Sequence, residues 1–227
     1  AFYSKARKFR SSFLASLYHD NIPSKVYNGL LKSVHGHIAL LTKYLKIRQK
    51  VLGLRKVHMY DLYVSLVDVP EKTYTFEEAR AIVIEALKPL GKDYGKVLKK
   101  AFSEGWIDVC ENQGKRVGAY SWGCYDCHPY VLLNWQGTIN DVFTLAHELG
   151  HALHSYYSNA SQPIQYANYK IFVAEVASTV NENLLMEYML KKSKDNTEKA
   201  FLLNHYLEEF RATVYRQTMF AEFEKDA

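Results

Sequence analysis

The chain has 227 residues, 48% of them apolar, and 29 Lys and Arg against 24 Asp and Glu give a net charge of +5. This balance excludes a disordered polar chain and predicts a packed core. No apolar run reaches transmembrane length, the opening AFYSKARKFR is too polar for a signal-peptide core, and three cysteines, Cys110, Cys124 and Cys127, are no disulfide framework, so a soluble, cytoplasmic protein with no membrane partner is expected.

Residues 24–54 carry apolar positions at helical spacing (Leu30, Leu31, Val34, Ile38, Leu41, Leu45) and predict one long helix ending near Gly53. Its Lys and Arg between Lys43 and Lys56 read as a solvated face. No aromatic-interleaved basic motif accompanies them, which argues against a nucleic-acid partner. Within the same helix His35-Gly-His37 reads as a surface pair. Thr75 and Glu78 form a capping box for a helix through Leu87, which Pro89 and Gly91 disrupt; a short helix follows over 93–103. From Trp106 to Gly137 the composition turns to Trp, Tyr, Val, Gly and Asn, with strand-like runs at 118–122 and 130–135, so a small sheet is predicted. Helical pattern returns at 141–157, pauses through a loop at 158–168, resumes at 171–191 and closes the chain with a long helix over 197–224. No linker or repeat divides the chain, so 1–104, 105–137 and 138–227 are expected as a helical segment, a sheet region and a second helical region of one domain.

The segment Thr144-Leu-Ala-His147-Glu148-Leu-Gly-His151-Ala-Leu-His154 places His-Glu-x-x-His inside a helical pattern. Residues four apart share a helix face, so both imidazoles can reach one zinc, with Glu148 beside them to act on water. At this content of His and Glu the pattern arises by chance with a probability of about 0.02. A hydrolytic zinc needs a third protein ligand and an open position. Glu175, in Phe172-Val-Ala-Glu175-Val-Ala-Ser-Thr179, supplies a carboxylate among apolar neighbours, where burial of an unpaired charge would be costly. A salt bridge to a Lys or Arg is the competing reading of Glu175. His154 is either a group that orients a ligand or contacts substrate, or a hydrogen-bonded core histidine. Glu182, two turns beyond Glu175, and Ser178 or Thr179 are candidates to orient the ligands.

HELGHALHSYYS followed by FVAEVASTVNE resembles the signature of the thimet oligopeptidase-like zinc metallopeptidases, and GKRVGAYSWG with PYVLLNWQGTINDVFTLAHE is similar to the oligoendopeptidase F branch. The likeness runs from about Tyr60 to Glu224. It implies a mainly α fold, a helical zincin-type core with a small β-sheet near the zinc helix. It further implies one zinc held by His147, His151 and Glu175, Glu148 as catalytic base, and short peptides as substrates. The family's sheet edge binds the substrate backbone, which points to 118–120 and 132–135. The family also carries an N-terminal helical lobe and a C-terminal Gly- and Tyr-rich segment; neither is recognised here, so the chain is expected to be a catalytic-core fragment of low activity. A helical interaction module with a vestigial metal site is the alternative function.

Three other features compete for attention. Cys124-Tyr-Asp-Cys127-His128 matches the c-type haem attachment pattern, but a chain without an export signal does not fit haem attachment, and no second cysteine pair completes a zinc site. Tyr156, Tyr157, Tyr166 and Tyr169 either line a peptide channel or are half-buried packing aromatics. Oligomeric state leaves no mark in the sequence.

Overall fold

Hydroxyl and carboxylate caps set where several helices begin. Thr75, Thr138 and Asp195 each accept the backbone N–H three residues on, and at Thr75 and Thr138 the carboxylates of Glu78 and Asp141 return the bond, completing capping boxes. The computed structural model describes residues 2–67 and 72–227; residues 1 and 68–71, part of the expected helical segment, lie outside the described residues. In chain order the elements are α1 (Phe2–Ala6), α2 (Ser12–Tyr18), α3 (Ser24–Gly36), α4 (Ile38–Val51), a 3-10 turn (Met59–Tyr63), α5 (Phe76–Ala86), a second 3-10 turn (Lys88–Leu90) and α6 (Lys92–Ser103). There follow β1 (Ile107–Asp108), β2 (Tyr120–Trp122), β3 (Tyr130–Leu132), α7 (Ile139–Ser161), α8 (Ile164–Ala167), α9 (Ile171–Lys192), α10 (Asn196–Phe210), a π segment (Arg211–Arg216) and α11 (Gln217–Asp226). The fold is mainly helical with one small sheet, as expected. No helix among the described residues is long and apolar enough to cross a membrane.

The described residues form two compact units, one from residues up to 67 together with 195–227, the other from 72–194. In the first, the predicted long helix is two. Gly36 is a weak helix former, and at His37 the backbone turns to φ −114° while the ring reaches back to the Ser33 carbonyl at 2.7 Å. The basic stretch is solvated except at Arg48, which is 1% exposed. Its guanidinium pairs with Glu208 at 3.1 Å and donates to the Asp61 and Val64 carbonyls at 2.8 and 2.6 Å. His35 pairs with Glu222 on the surface. The closing helix spans the expected length but widens to a π turn at 211–216.

The second unit is built around α7. Leu145, Ala146, Leu149, Ala152 and Leu153 are fully buried, because α5, α6, α9 and the strands β2 and β3 all pack on this helix. Each fully buried leucine contributes roughly 1.5–3 kcal/mol. In the sheet β3 is central, parallel to β1 (Ile107↔Val131) and antiparallel to β2 (Ser121↔Val131). Beyond β3 the amides of Leu133 and Trp135 continue to bond Asp108 and Val109. The run 132–135 is therefore paired inside the sheet, and of the two segments expected at the substrate-binding edge the one leading into β2 lies at a sheet edge among the described residues. The strand β1 was not expected; at two residues it is too short for any alternation to show. The predicted loop 158–168 is mostly helix, since α7 runs to Ser161 and α8 follows after Pro163.

Candidate metal centre

Two glycines bring the site's elements into position. Gly137 adopts φ +79°, and a Cβ there would lie 2.9 Å from Thr73 Cγ2, so only glycine makes this turn into the Thr138 cap of α7. Gly150 lies where α7 crosses α9: an added Cβ would come within 2.7 Å of Ser178 Cα and 2.8 Å of the Ala177 carbonyl. The backbones touch because position 150 has no side chain. Asn181, buried on α9, donates to the Ala146 carbonyl at 2.9 Å and accepts from the Tyr94 hydroxyl of α6 at 3.0 Å, which ties the three helices together.

This crossing sets Glu175 of α9 against the two histidines of α7. His147 Nε2 and His151 Nε2 are 3.1 Å apart, and Glu175 Oε2 lies 3.3 and 3.4 Å from them. A tetrahedral zinc with bonds of about 2.0–2.1 Å has ligand atoms roughly 3.3 Å apart, so the three donors occupy three vertices of such a site. No fourth His, Cys, Asp or Glu joins the group among the described residues. The donor set therefore fits a metal with an open position.

Each donor is held from behind. His147 Nδ1 meets Glu182 Oε1 at 2.9 Å, and Ser178, fully buried, donates to Glu175 Oε2 at 2.8 Å. Thr179 donates to the Glu175 carbonyl at 2.5 Å, and the Ala174 backbone is hydrogen-bonded to the His151 ring. The structure thus brings Glu182 and Ser178 to the side chains of two of the candidate donors, whereas Thr179 reaches the Glu175 backbone. Glu148 is 7% exposed; its carboxylate receives the Ser121 N–H of β2, while Oε2 has no hydrogen-bond partner among the described residues.

The electrostatics follow from burial and from the crowd of carboxylates. Burial raises the Glu148 pKa, helped by Glu175 and Glu182 and opposed by His147 and the Ser121 amide. Burial pulls His147 down, but Glu182, Glu148 and Glu175 outweigh it and the net shift is upward. His151 falls through burial, with Glu175 opposing, and His154 falls through burial alone.

Some expectations about these residues need correction. Glu175 is not surrounded by a core: its side chain is 56% exposed, and Val173 and Val176 beside it are themselves on the surface. The burial cost that argued for a metal at Glu175 is therefore absent, and the convergence of the donors supports it instead. His154 stands apart from the donor group. Its ring stacks on Tyr169 at 3.7 Å and lines an apolar recess of about 400 Å³ with Gly150, Tyr157, Val173 and Val180. Tyr156 packs against Trp106, Tyr157 lies over Tyr94, and Tyr166 is exposed. Around the haem-like motif, Cys124 and Cys127 are exposed thiols and His128 stacks on Trp106 at 5.2 Å. Sequence reasoning missed Ser121, Asn181 and Tyr94. Asn181 had a signal, three residues after Ser178 on the buried stripe of α9; the Ser121 contribution is a backbone amide from a distant strand and left none.

In sequence and in fold the chain is similar to known proteins. The family described as Peptidase family M3 matches residues 2–227. Oligopeptidase PepF of Bacillus subtilis is 50% identical over 98% of this chain and 33% of its own length, and an oligoendopeptidase F homolog of Lactococcus lactis is 46% identical over 98% of this chain and 37% of its own. A solved chain from Chlamydophila abortus superposes with a TM-score of 0.89 at 48% identity, covering 99% of this chain and 38% of that one. Oligoendopeptidase-F from Enterococcus faecium superposes at 0.66 with 35% identity, again over 99% of this chain and 32% of the other. The chain spans about a third of the length of the curated relatives it matches.

Proposed function

We propose that this chain, which belongs to peptidase family M3, holds the zinc centre of an oligopeptidase, an endopeptidase that hydrolyses short peptides. The observation that carries the reading is the convergence of His147 Nε2, His151 Nε2 and Glu175 Oε2 at 3.1–3.4 Å with no fourth donor beside them among the described residues. Two imidazoles and a carboxylate suit zinc and leave room for water and substrate. When bound, zinc supplies Lewis-acid chemistry, acidifying water and polarising a peptide carbonyl.

The chain's own groups account for the proton. Glu148 is the general base: the Ser121 amide fixes its carboxylate while Oε2, without a hydrogen-bond partner among the described residues, is left to accept a proton. Having taken the proton from water, Glu148 returns it to the nitrogen of the leaving amine. Glu182 fixes the orientation of the His147 ring and Ser178 that of the Glu175 carboxylate, which keeps the donors aimed at one point. The outer side of β2, which no other strand pairs among the described residues and where the Ser121 amide meets Glu148, suits the backbone of an extended peptide. Short peptides as substrates rest on the relatives, whose names speak of oligopeptidases.

Hydrolysis of a quenched fluorescent peptide tests the reading. Chelation abolishes turnover and zinc restores it; Glu148→Gln keeps the metal and loses at least about 10²-fold in rate. Turnover that survives Glu148→Gln removes Glu148 from the role of base.

A further inference from the structure

The hairpin loop between β2 and β3 carries Cys124-Tyr-Asp-Cys127, a pair that the zinc site does not use. Both thiols are exposed and unbridged. The Cys127 amide donates to the Cys124 carbonyl at 3.3 Å, closing a four-residue turn around Tyr125 and Asp126. Such a turn holds its end Cα atoms within about 7 Å, and disulfides span about 4.4–6.8 Å between Cα atoms. The turn therefore brings the two Cα atoms close to the range that a disulfide spans.

The loop around them is pinned. Tyr125 donates its hydroxyl to the Gln162 carbonyl at 2.7 Å, Asn159 of α7 donates to the Cys124 carbonyl at 3.3 Å, and the His128 ring stacks on buried Trp106. Gly123 approaches Pro129 so closely that a Cβ would lie 3.1 Å from its Cα. These anchors hold the backbone of the turn while both cysteines stay exposed.

We propose that Cys124 and Cys127 are a peroxide-responsive dithiol that closes into a reversible disulfide. One thiolate attacks the peroxide: an S–O bond forms, the O–O bond breaks, and water leaves with the thiol's proton. The second sulfur attacks the sulfenic sulfur, the S–S bond forms and the S–O bond breaks, releasing a second water. Peroxide is reduced by two electrons and the two thiols are oxidised by two. The turn makes this second step fast, because the resolving thiol is three residues away on a fixed backbone.

The test treats the Cys110→Ser protein with stoichiometric hydrogen peroxide, traps remaining thiols with maleimide under denaturing conditions, and maps the modified peptides by mass spectrometry. The expected result is loss of both thiols together, a peptide lighter by two hydrogens that links Cys124 to Cys127 within one chain, and full recovery with dithiothreitol. In Cys124→Ser or Cys127→Ser the remaining cysteine goes on to sulfinic acid or to a disulfide between chains. Independent oxidation of the two cysteines in the Cys110→Ser protein, a disulfide between chains in place of the internal one, or thiols that remain open to maleimide overturns the proposal.

Discussion

Glu148 and His147 are neighbours in sequence, and burial works against the charged form of each. The carboxyl is driven up; the imidazole is driven down but recovered by three carboxylates, of which Glu182 acts most strongly. Glu182 thus has a double part, fixing the ring through Nδ1 and raising its basicity as a ligand. Glu182→Gln is expected to weaken zinc binding about 10- to 100-fold without unfolding the protein, as read by competition with a chromogenic chelator. Ser178→Ala frees the Glu175 carboxylate and acts in the same direction. Unchanged affinity in both variants would mean that the donors are aligned by the helices alone. The spacing of His147, Glu148 and His151 follows from 3.6 residues per turn and let the sequence offer them as candidate donors and base, with Glu175 and Glu182 as candidates on the following helix. It misjudged the surroundings of Glu175, because apolar neighbours in a helix signal burial only when another element covers them, and Val173 and Val176 are exposed.

At the scale of elements the site depends on how closely α7 and α9 approach. Gly150→Ala forces a methyl group into the Ser178 backbone, which cannot give as a flexible side chain can. The helices must separate, so a loss of about 1–3 kcal/mol in stability and weaker zinc binding are expected together. The measurements are thermal unfolding and metal content of the same sample; a Gly150→Ala variant of normal stability and full zinc content would show that the crossing tolerates the methyl. Tyr94 makes a second prediction. Burial pushes its pKa up to about 12 from the ordinary 10.0. The neutral phenol is favoured in the fold, so its contribution is complete below pH 10 and is lost as pH rises towards 12, on the order of 2–3 kcal/mol in all. Alkaline unfolding followed by circular dichroism should show this loss, and Tyr94→Phe should flatten the pH dependence over that interval. The helices themselves were readable from capping boxes and periodicity. Their interruptions were not: a break at His37 costs one turn of pattern, a π segment shifts the apolar stripe by a single residue, and β1 is two residues long. The role of Gly150 was hidden because a glycine inside a helix does not disclose which backbone it faces.

At the scale of the molecule the two units rest on different kinds of contact. The unit around α7 has a core of aliphatic side chains and Trp106, whereas the unit that contains both ends of the chain buries the guanidinium of Arg48 against Glu208, Tyr44 and two carbonyls. Glu208→Gln removes the charge opposite a buried cation and is expected to destabilise by about 3–5 kcal/mol. Replacing Arg48 with Met should cost less, since it removes the charge that needs compensation. Equal effects in denaturant titrations would contradict this view of the network. The zinc proposal itself is tested most directly by metal analysis and zinc K-edge absorption on the purified protein. The expected result is one zinc per chain with two imidazole nitrogens, oxygen donors at about 2.0–2.2 Å and no sulfur, lost in Glu175→Ala. Protein that takes up no stoichiometric zinc, or holds it through the sulfurs of Cys124 and Cys127, would contradict the assignment of His147, His151 and Glu175.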